Sequence, residues 1–163
     1  GLRLQEALSL QVPDIDGTRL MLHIHRGKGA KDRYVPLPQE TLRLMRQYWK
    51  THRNPLLLFP ALGRGRIDGP TATTPMDRGS VQGALKRAVR KAGVTIPFSV
   101  HTLRHAYATH LLEQGLNIRI IQRYMGHRSL ETTMRYLHLT QKGKENAYQL
   151  IDSFMSGFTY ERS

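Results

Sequence analysis

The sequence predicts an α+β fold, mainly helical, with one small antiparallel sheet. Two short runs of alternating apolar residues flank a glycine-bearing turn, a series of later windows has helical periodicity, and glycines stand where those helices would end. Leu2 to Leu10 reads as a short helix, with Leu4, Ala7 and Leu8 on one side and Arg3 and Glu6 on another. From Arg19 to His25, Leu20, Leu22 and Ile24 alternate with Met21, His23 and His25, so the histidines are expected to face outward from a strand. Asp32 to Leu37 returns as a second strand, which makes the turn between them a basic hairpin tip carrying Lys28 and Lys31.

Pro38 can open a helix running to about His52, with Leu42, Met45 and Trp49 spaced for burial. Residues 60–76 read as a flexible loop, because Gly63, Gly65, Gly69 and Pro70 leave no periodicity; Arg64 and Arg66 make it a candidate for phosphate contact. Helices follow at about 77–92, 102–115, 117–125 and 130–139, with Gly93, Gly115 and Gly126 marking ends. Ser129 is placed to cap the last of these, with Glu131 in its first turn. Residues 144–158 are expected to form a C-terminal amphipathic helix, on which Ala147, Leu150, Ile151, Phe154 and Phe158 make one stripe.

Composition narrows the partners. The 163 residues suit a single domain, and a 39% apolar share can fill a core. No run approaches the ~18 apolar residues of a membrane span. The chain starts without a basic-then-apolar leader, so a cytoplasmic location with no membrane partner is expected. The lack of cysteine excludes disulfides, thiolate catalysis and cysteine-based zinc sites. Lys and Arg number 25 against 12 for Asp and Glu, a net charge of +13. The excess is even: 12 basic and 6 acidic residues up to position 76, then 13 and 6 beyond it. A basic folded surface of this kind points to a polyanion such as nucleic acid.

One region is dense in chemistry: His101, Arg104 and His105, then Met125-Gly126-His127, then Thr132, Thr133, Tyr136 and His138. It holds cationic donors and a phenol, with no nearby acidic cluster. His101 and His105 are four apart without the glutamate of a zinc protease, so no metal is expected there. Gly27-Lys28-Gly29 lacks the remaining residues of a nucleotide-binding P-loop. Two arginines, histidines, a lysine and a tyrosine suit phosphoryl transfer without a metal. Arginine forks match the non-bridging oxygens, and Tyr136 is the crowded candidate for nucleophile. A phenol with an ordinary pKa near 10 would need surrounding positive charge to ionise. Taken singly, His105 reads as a packing or helix-surface residue, and Thr132 and Thr133 read as helix filler.

Four separated stretches, in order, carry a family resemblance. They are Gly1-Leu2-Arg3 with Glu6 and Asp14-Ile15-Asp16; Gly27-Lys28-Gly29 with Lys31-Asp32-Arg33 and Val35-Pro36-Leu37; His101-Thr-Leu-Arg104-His with Met125-Gly126-His127; and Thr132-Thr133 with Tyr136 and His138. Together, from Gly1 to Leu139, the chain resembles the tyrosine recombinases, or phage integrases, in their catalytic domain. The spacings of three, twenty-three and nine between His101, Arg104, His127 and Tyr136 agree with that family.

The resemblance implies the family's catalytic-domain fold and site-specific DNA recombination without a cofactor. It implies that Arg3 and Arg104 bind the scissile phosphate and that Tyr136 attacks it to leave a 3′-phosphotyrosyl link. Lys28 would protonate the departing 5′-oxygen, with Lys31 the competing lysine. His127 would bond the phosphate, His101 would assist proton transfer, and Glu6 would support Arg3. Lys31, Arg33, Arg64 and Arg66 are the expected DNA contacts. The expected partners are double-stranded DNA and further recombinase protomers, as in a tetrameric synapse. The C-terminal helix would dock on its own domain or on a neighbour. In the family a helical DNA-binding domain precedes this one, so residues 1–163 are read as one catalytic domain of a longer protein, bacterial or from a phage or mobile element. A type IB topoisomerase, with the same chemistry, and a non-catalytic DNA-binding remnant are the alternatives.

Overall fold

Alternation builds the sheet and decides which way its side chains face. The computed structural model describes residues 1–25, 32–63 and 68–137, together with residues 149, 151 and 153. Its three-stranded antiparallel sheet has the order β1 (Ile15–Asp16), β2 (Met21–Ile24), β3 (Arg33–Pro36). Leu22 pairs with Ile15 and Val35, and Ile24 pairs with Arg33. Leu22, Ile24 and Val35 are buried, and Arg33 lies in the same inward row. His23 and Tyr34 face outward as a cross-strand pair, their rings stacked at 4.7 Å.

Sequence periodicity does not reveal β1, whose two residues are too few to show alternation. Asp16 makes the β1–β2 turn itself, its Oδ1 accepting from the Thr18 and Arg19 amides at 3.0 and 2.8 Å. Just before β1, a short 3-10 turn (Val12–Asp14) buries Asp14, which accepts from the Gln11 amide at 2.8 Å.

Helix α1 (Leu4–Leu8) is shorter than the sequence suggested, and α2 (Gln39–Lys50) starts after Pro38 as expected. Leu42 of α2 closes a first core with Leu10, Leu22, Ile24, Val35, Leu37 and Leu58, while Met45 and Trp49 pack against it partly buried. Helices α3 (Arg78–Lys91), α4 (Val100–Glu113), α5 (Ile118–Met125) and α6 (Leu130–Met134) follow. A capping box between Ser99 and Thr102 starts α4 two residues earlier than expected. Ser129 does stand before α6, but its hydroxyl meets the Thr132 hydroxyl at 3.2 Å rather than capping an amide. A second core joins α4 and α5 through Ala108, Ile121, Met125 and Tyr136.

Parts of the expected flexible loop are fastened. Asn54, 1% exposed, donates to the carbonyls of Gly69 and Ala72 at 2.8 and 2.9 Å while its own Oδ1 accepts from the Leu56 and Leu57 amides. Pro60 bridges to Pro75, and the Ala61 amide donates to Thr74 at 2.9 Å. Loops without periodicity still need backbone partners, and one buried amide side chain supplies them here. Arg64 and Arg66 lie outside the described residues, as do Lys28, Lys31 and most of the expected helix at 144–158. Among the described residues, no helix is long and apolar enough to cross a membrane.

Candidate active site

The site forms on the seam between the two cores, where α1, β3, α4 and the ends of α5 and α6 meet. Arg3 stands at the N-cap of α1 in extended conformation. Three residues on, Glu6 turns back: its Oε2 accepts from the Arg3 amide at 2.9 Å and its Oε1 from the Arg3 guanidinium at 3.0 Å. The guanidinium also donates to the Gly126 carbonyl at 2.9 Å. Gly126 ends α5 with φ of 64°, a left-handed conformation that favours glycine.

From β3, Arg33 reaches the same carboxylate. Its two terminal nitrogens donate to Glu6 Oε1 and Oε2 at 3.0 and 2.8 Å, and its Nε donates to the Tyr124 carbonyl at 3.0 Å. Arg33 is 7% exposed, so it is a buried brace and not the DNA contact the basic hairpin suggested. Its place in the inward row with Val35 is the signal in the sequence that points to burial. Burial works to raise the Glu6 pKa, but hydrogen bonds from Arg33 and Arg3 and the charge of Arg33 win, holding it at about 2.

Arg104 is buried on α4. It donates to the carbonyls of Gly1 and, at 2.6 Å, Met125, and meets His127 Nε2 at 3.1 Å. Gly1 presses so closely on Tyr107 that a Cβ there would collide with the ring. A guanidinium only donates, so His127 Nε2 must accept, leaving Nδ1–H to donate to Thr133 Oγ1 at 2.9 Å. His127 is therefore neutral. Burial, then Arg104, Arg3 and His105, lower its pKa to about 4. Burial and the neighbouring Arg3 lower Arg104 to about 10, which leaves it charged near neutrality.

Tyr136 follows α6 and is 4% exposed. Its ring centroid lies 5.4 Å from that of His105 and 6.1 Å from that of His127. The positive surroundings expected to favour its phenolate are present, yet burial outweighs Arg104 and its pKa is raised. A cavity of about 320 Å³ is lined by Arg3, His101, Arg104, His105, His127 and Tyr136. Five residues separated in the sequence are thereby brought together, and His105 joins them. The sequence gives no separate reason to place His105 here, although it shares a helical face with His101. Thr133 is more than helix filler, because its hydroxyl holds His127.

The model of the phage integrase family matches residues 1–142. The chain belongs to this family. It is 42% identical over 139 residues to the y4qK protein of Sinorhizobium fredii, covering 85% of this chain and 42% of that one. It is 35% identical over 162 residues to the tyrosine recombinase XerA of Pyrococcus furiosus, covering 96% and 54%. A crystal structure of XerA recombinase superposes with a TM-score of 0.73 at 28% identity, over 91% of this chain and 53% of that one. The chain spans about half the length of the curated relatives it matches. The helical α+β architecture around a small sheet is thus that of a tyrosine-recombinase catalytic domain.

Two predictions concern this integrase-family site. Arg33→Met should destabilise the fold by about 3 kcal/mol, because Glu6 then keeps a half-buried charge with one partner fewer. Should the domain bind DNA, the slope of log affinity against log salt stays unchanged in this variant, whereas losing a phosphate contact would reduce it by about 0.9. Denaturant titration and salt-dependent binding measure the two effects. His127→Gln should flatten the acid limb of stability. The folded pKa of about 4 lies below the ordinary value of 6.5, so the unfolded chain takes up the proton first and stability falls as pH drops from 6.5 towards 4. Chemical unfolding across that window should show a shallower decline in the variant.

Proposed function

We propose that this domain breaks and rejoins double-stranded DNA in site-specific recombination, using Tyr136 as nucleophile. The observation that carries the reading is the convergence of Arg3, Arg104, His127 and Tyr136 on one cavity. A phosphodiester seated there meets two guanidinium groups, whose fixed donors stabilise the charge that grows on the non-bridging oxygens. The Tyr136 oxygen attacks phosphorus, a tyrosyl–phosphate bond forms, and the bond to the 5′-oxygen breaks. His101 helps take the phenolic proton, and Lys28 gives one to the departing oxygen. Attack by a new 5′-hydroxyl reverses the steps, so bond energy is conserved and no cofactor is called for. Family membership and a relative named tyrosine recombinase support recombination over simple relaxation of supercoils.

The proposed partners are duplex DNA and further recombinase protomers assembled on it. The proposed setting is the cytoplasm of a bacterium, with the gene in a chromosome, phage or mobile element. Lys31, Arg64 and Arg66 are proposed phosphate contacts, supported by the net charge of +13.

Tyr136→Phe should abolish the covalent protein–DNA adduct while preserving fold and DNA affinity. In the full-length protein, a nicked substrate that traps the intermediate, run on denaturing gels and followed by peptide mapping, reads this out. An adduct on Tyr107 or Tyr124 would defeat the assignment. Lys28→Ala should slow cleavage strongly with little change in affinity, since a proton donor acts in the transition state. A substrate with sulfur at the bridging 5′ position needs no protonation, so it should restore most of the Lys28→Ala rate but not that of Arg104→Ala. Rescue of Lys31→Ala instead would reassign the acid.

A further inference from the structure

Asp14, His23, His25 and Asp32 converge where the hairpin strands leave the sheet, the first three lining a cavity that Arg3 and Glu6 also line. Asp14 is 7% exposed; the Gln11 amide holds its Oδ2 at 2.8 Å, and its Oδ1 lies 2.8 Å from His25 Nε2. On the other side of that ring, His25 Nδ1 lies 3.2 Å from Asp32 Oδ2. The same oxygen is 3.2 Å from His23 Nε2. The two imidazole centroids are 4.1 Å apart, and His23 is steadied by its stack on Tyr34. Asp14, His23 and His25 each offer a ligand atom within 4.8 Å of the other two. None of these residues has a part in the strand-transfer steps above.

We propose that Asp14, His23 and His25 bind a divalent transition-metal ion of the zinc class. Two imidazoles and one carboxylate are the donor set such ions take, whereas calcium and magnesium favour oxygen alone. Metal–ligand bonds of about 2.0–2.1 Å place neighbouring donors about 3.4 Å apart in a tetrahedron. The Asp14–His25 contact of 2.8 Å therefore opens by about 0.6 Å to admit the ion, and His23 closes inward. His25 has two carboxylates, one for each ring nitrogen. Asp14 shares the ion with one nitrogen, and Asp32 accepts from the other, the outer contact that orients a metal-bound histidine. The Gln11 amide does the same for Asp14. His25 and Asp32 bracket segment 26–31, which contains Lys28, so the ion would tie both ends of that segment to the buried Asp14.

The test is isothermal titration of the whole chain, first stripped with EDTA, with zinc chloride near neutral pH. One ion per chain with a dissociation constant of about micromolar or tighter is expected. His23→Gln and Asp14→Asn should each weaken it roughly tenfold or more, and His110→Gln on the surface should not. Asp14 also holds a backbone amide, so the deciding variant is His23→Gln, at a partly exposed position, whose melting temperature without zinc should match the parent. Cobalt(II) should give the visible absorption of a low-symmetry nitrogen and oxygen site, and this should vanish in His23→Gln. No zinc bound at tens of micromolar, or binding undiminished in His23→Gln, would reduce the cluster to an ion-paired network and overturn the proposal. Either result leaves the assignment of Tyr136 and the arginines untouched.

Discussion

Glu6 is the acid on which the cationic end of this domain depends. Arg3, Arg33 and Arg104 are drawn to one seam, and the charge on Arg3 opposes that on Arg104. Like charges crowded near a protein surface repel one another at a cost in free energy. One carboxylate, forked by Arg33 and bonded to both the amide and the side chain of Arg3, offsets much of that cost. Because Glu6 has a folded pKa of about 2, below its ordinary value, its stabilisation is complete above about pH 4.5 and is lost as pH falls towards 2. The arrangement depends on β3 facing inward at Arg33, and so on the register that sets Ile24 opposite it.

That register also links the two cores. Arg33 donates to the Tyr124 carbonyl on α5; Tyr124 packs against the first core, while Met125 beside it belongs to the second. The left-handed turn at Gly126 then ends α5 beside Arg3 and starts the segment carrying His127. A shift in the sheet would be felt at His127 through this short chain of contacts. The site residues therefore come from distant parts of the sequence without any long loop having to hold them.

Where its pattern is long or rich in specific residues, the sequence is informative. Alternation around Leu22 and Ile24, the spacing of Leu42, Met45 and Trp49, and helix-ending glycines at 93, 115 and 126 all reappear in the structure. The grouping of Arg3, Arg104, His127 and Tyr136 is visible only because four motifs stand together, since each residue alone has an ordinary reading. What stays hidden is tertiary. Arg33 resembles a phosphate contact because basic residues surround it; its inward row with Val35 points to burial, but the partner twenty-seven positions away leaves no local trace. Asn54 resembles a loop residue, yet its amide fastens a segment whose composition suggests freedom. Strand β1 is too short to have a period. The outward orientation of His23 and His25 is legible in the alternation, but the acids that meet them, at positions 14 and 32, come from either side of the strand.

The partners chosen by the two site arginines divide their work. Arg3 gives one arm to Glu6, so part of its charge is already answered. Arg104 gives its arms to two backbone carbonyls and a neutral imidazole, none of which carries a negative charge. Those contacts fix its fork without neutralising it; under the proposed function that is the preorganisation electrostatic catalysis would require. Burial strips solvent from the same group and depresses its pKa, so the charge is held at a cost that a phosphodiester would relieve. The neutrality of His127 belongs to the same balance. A second cation beside Arg104 would need its own counter-charge, whereas a neutral ring held by Thr133 keeps a nitrogen in place without adding to the repulsion. Tyr136 meets the opposite condition: burial keeps it protonated, and the arginine field opposes that only in part. In the proposed reaction, an ionised Tyr136 would therefore have to be favoured by something beyond the arginine field of the empty site.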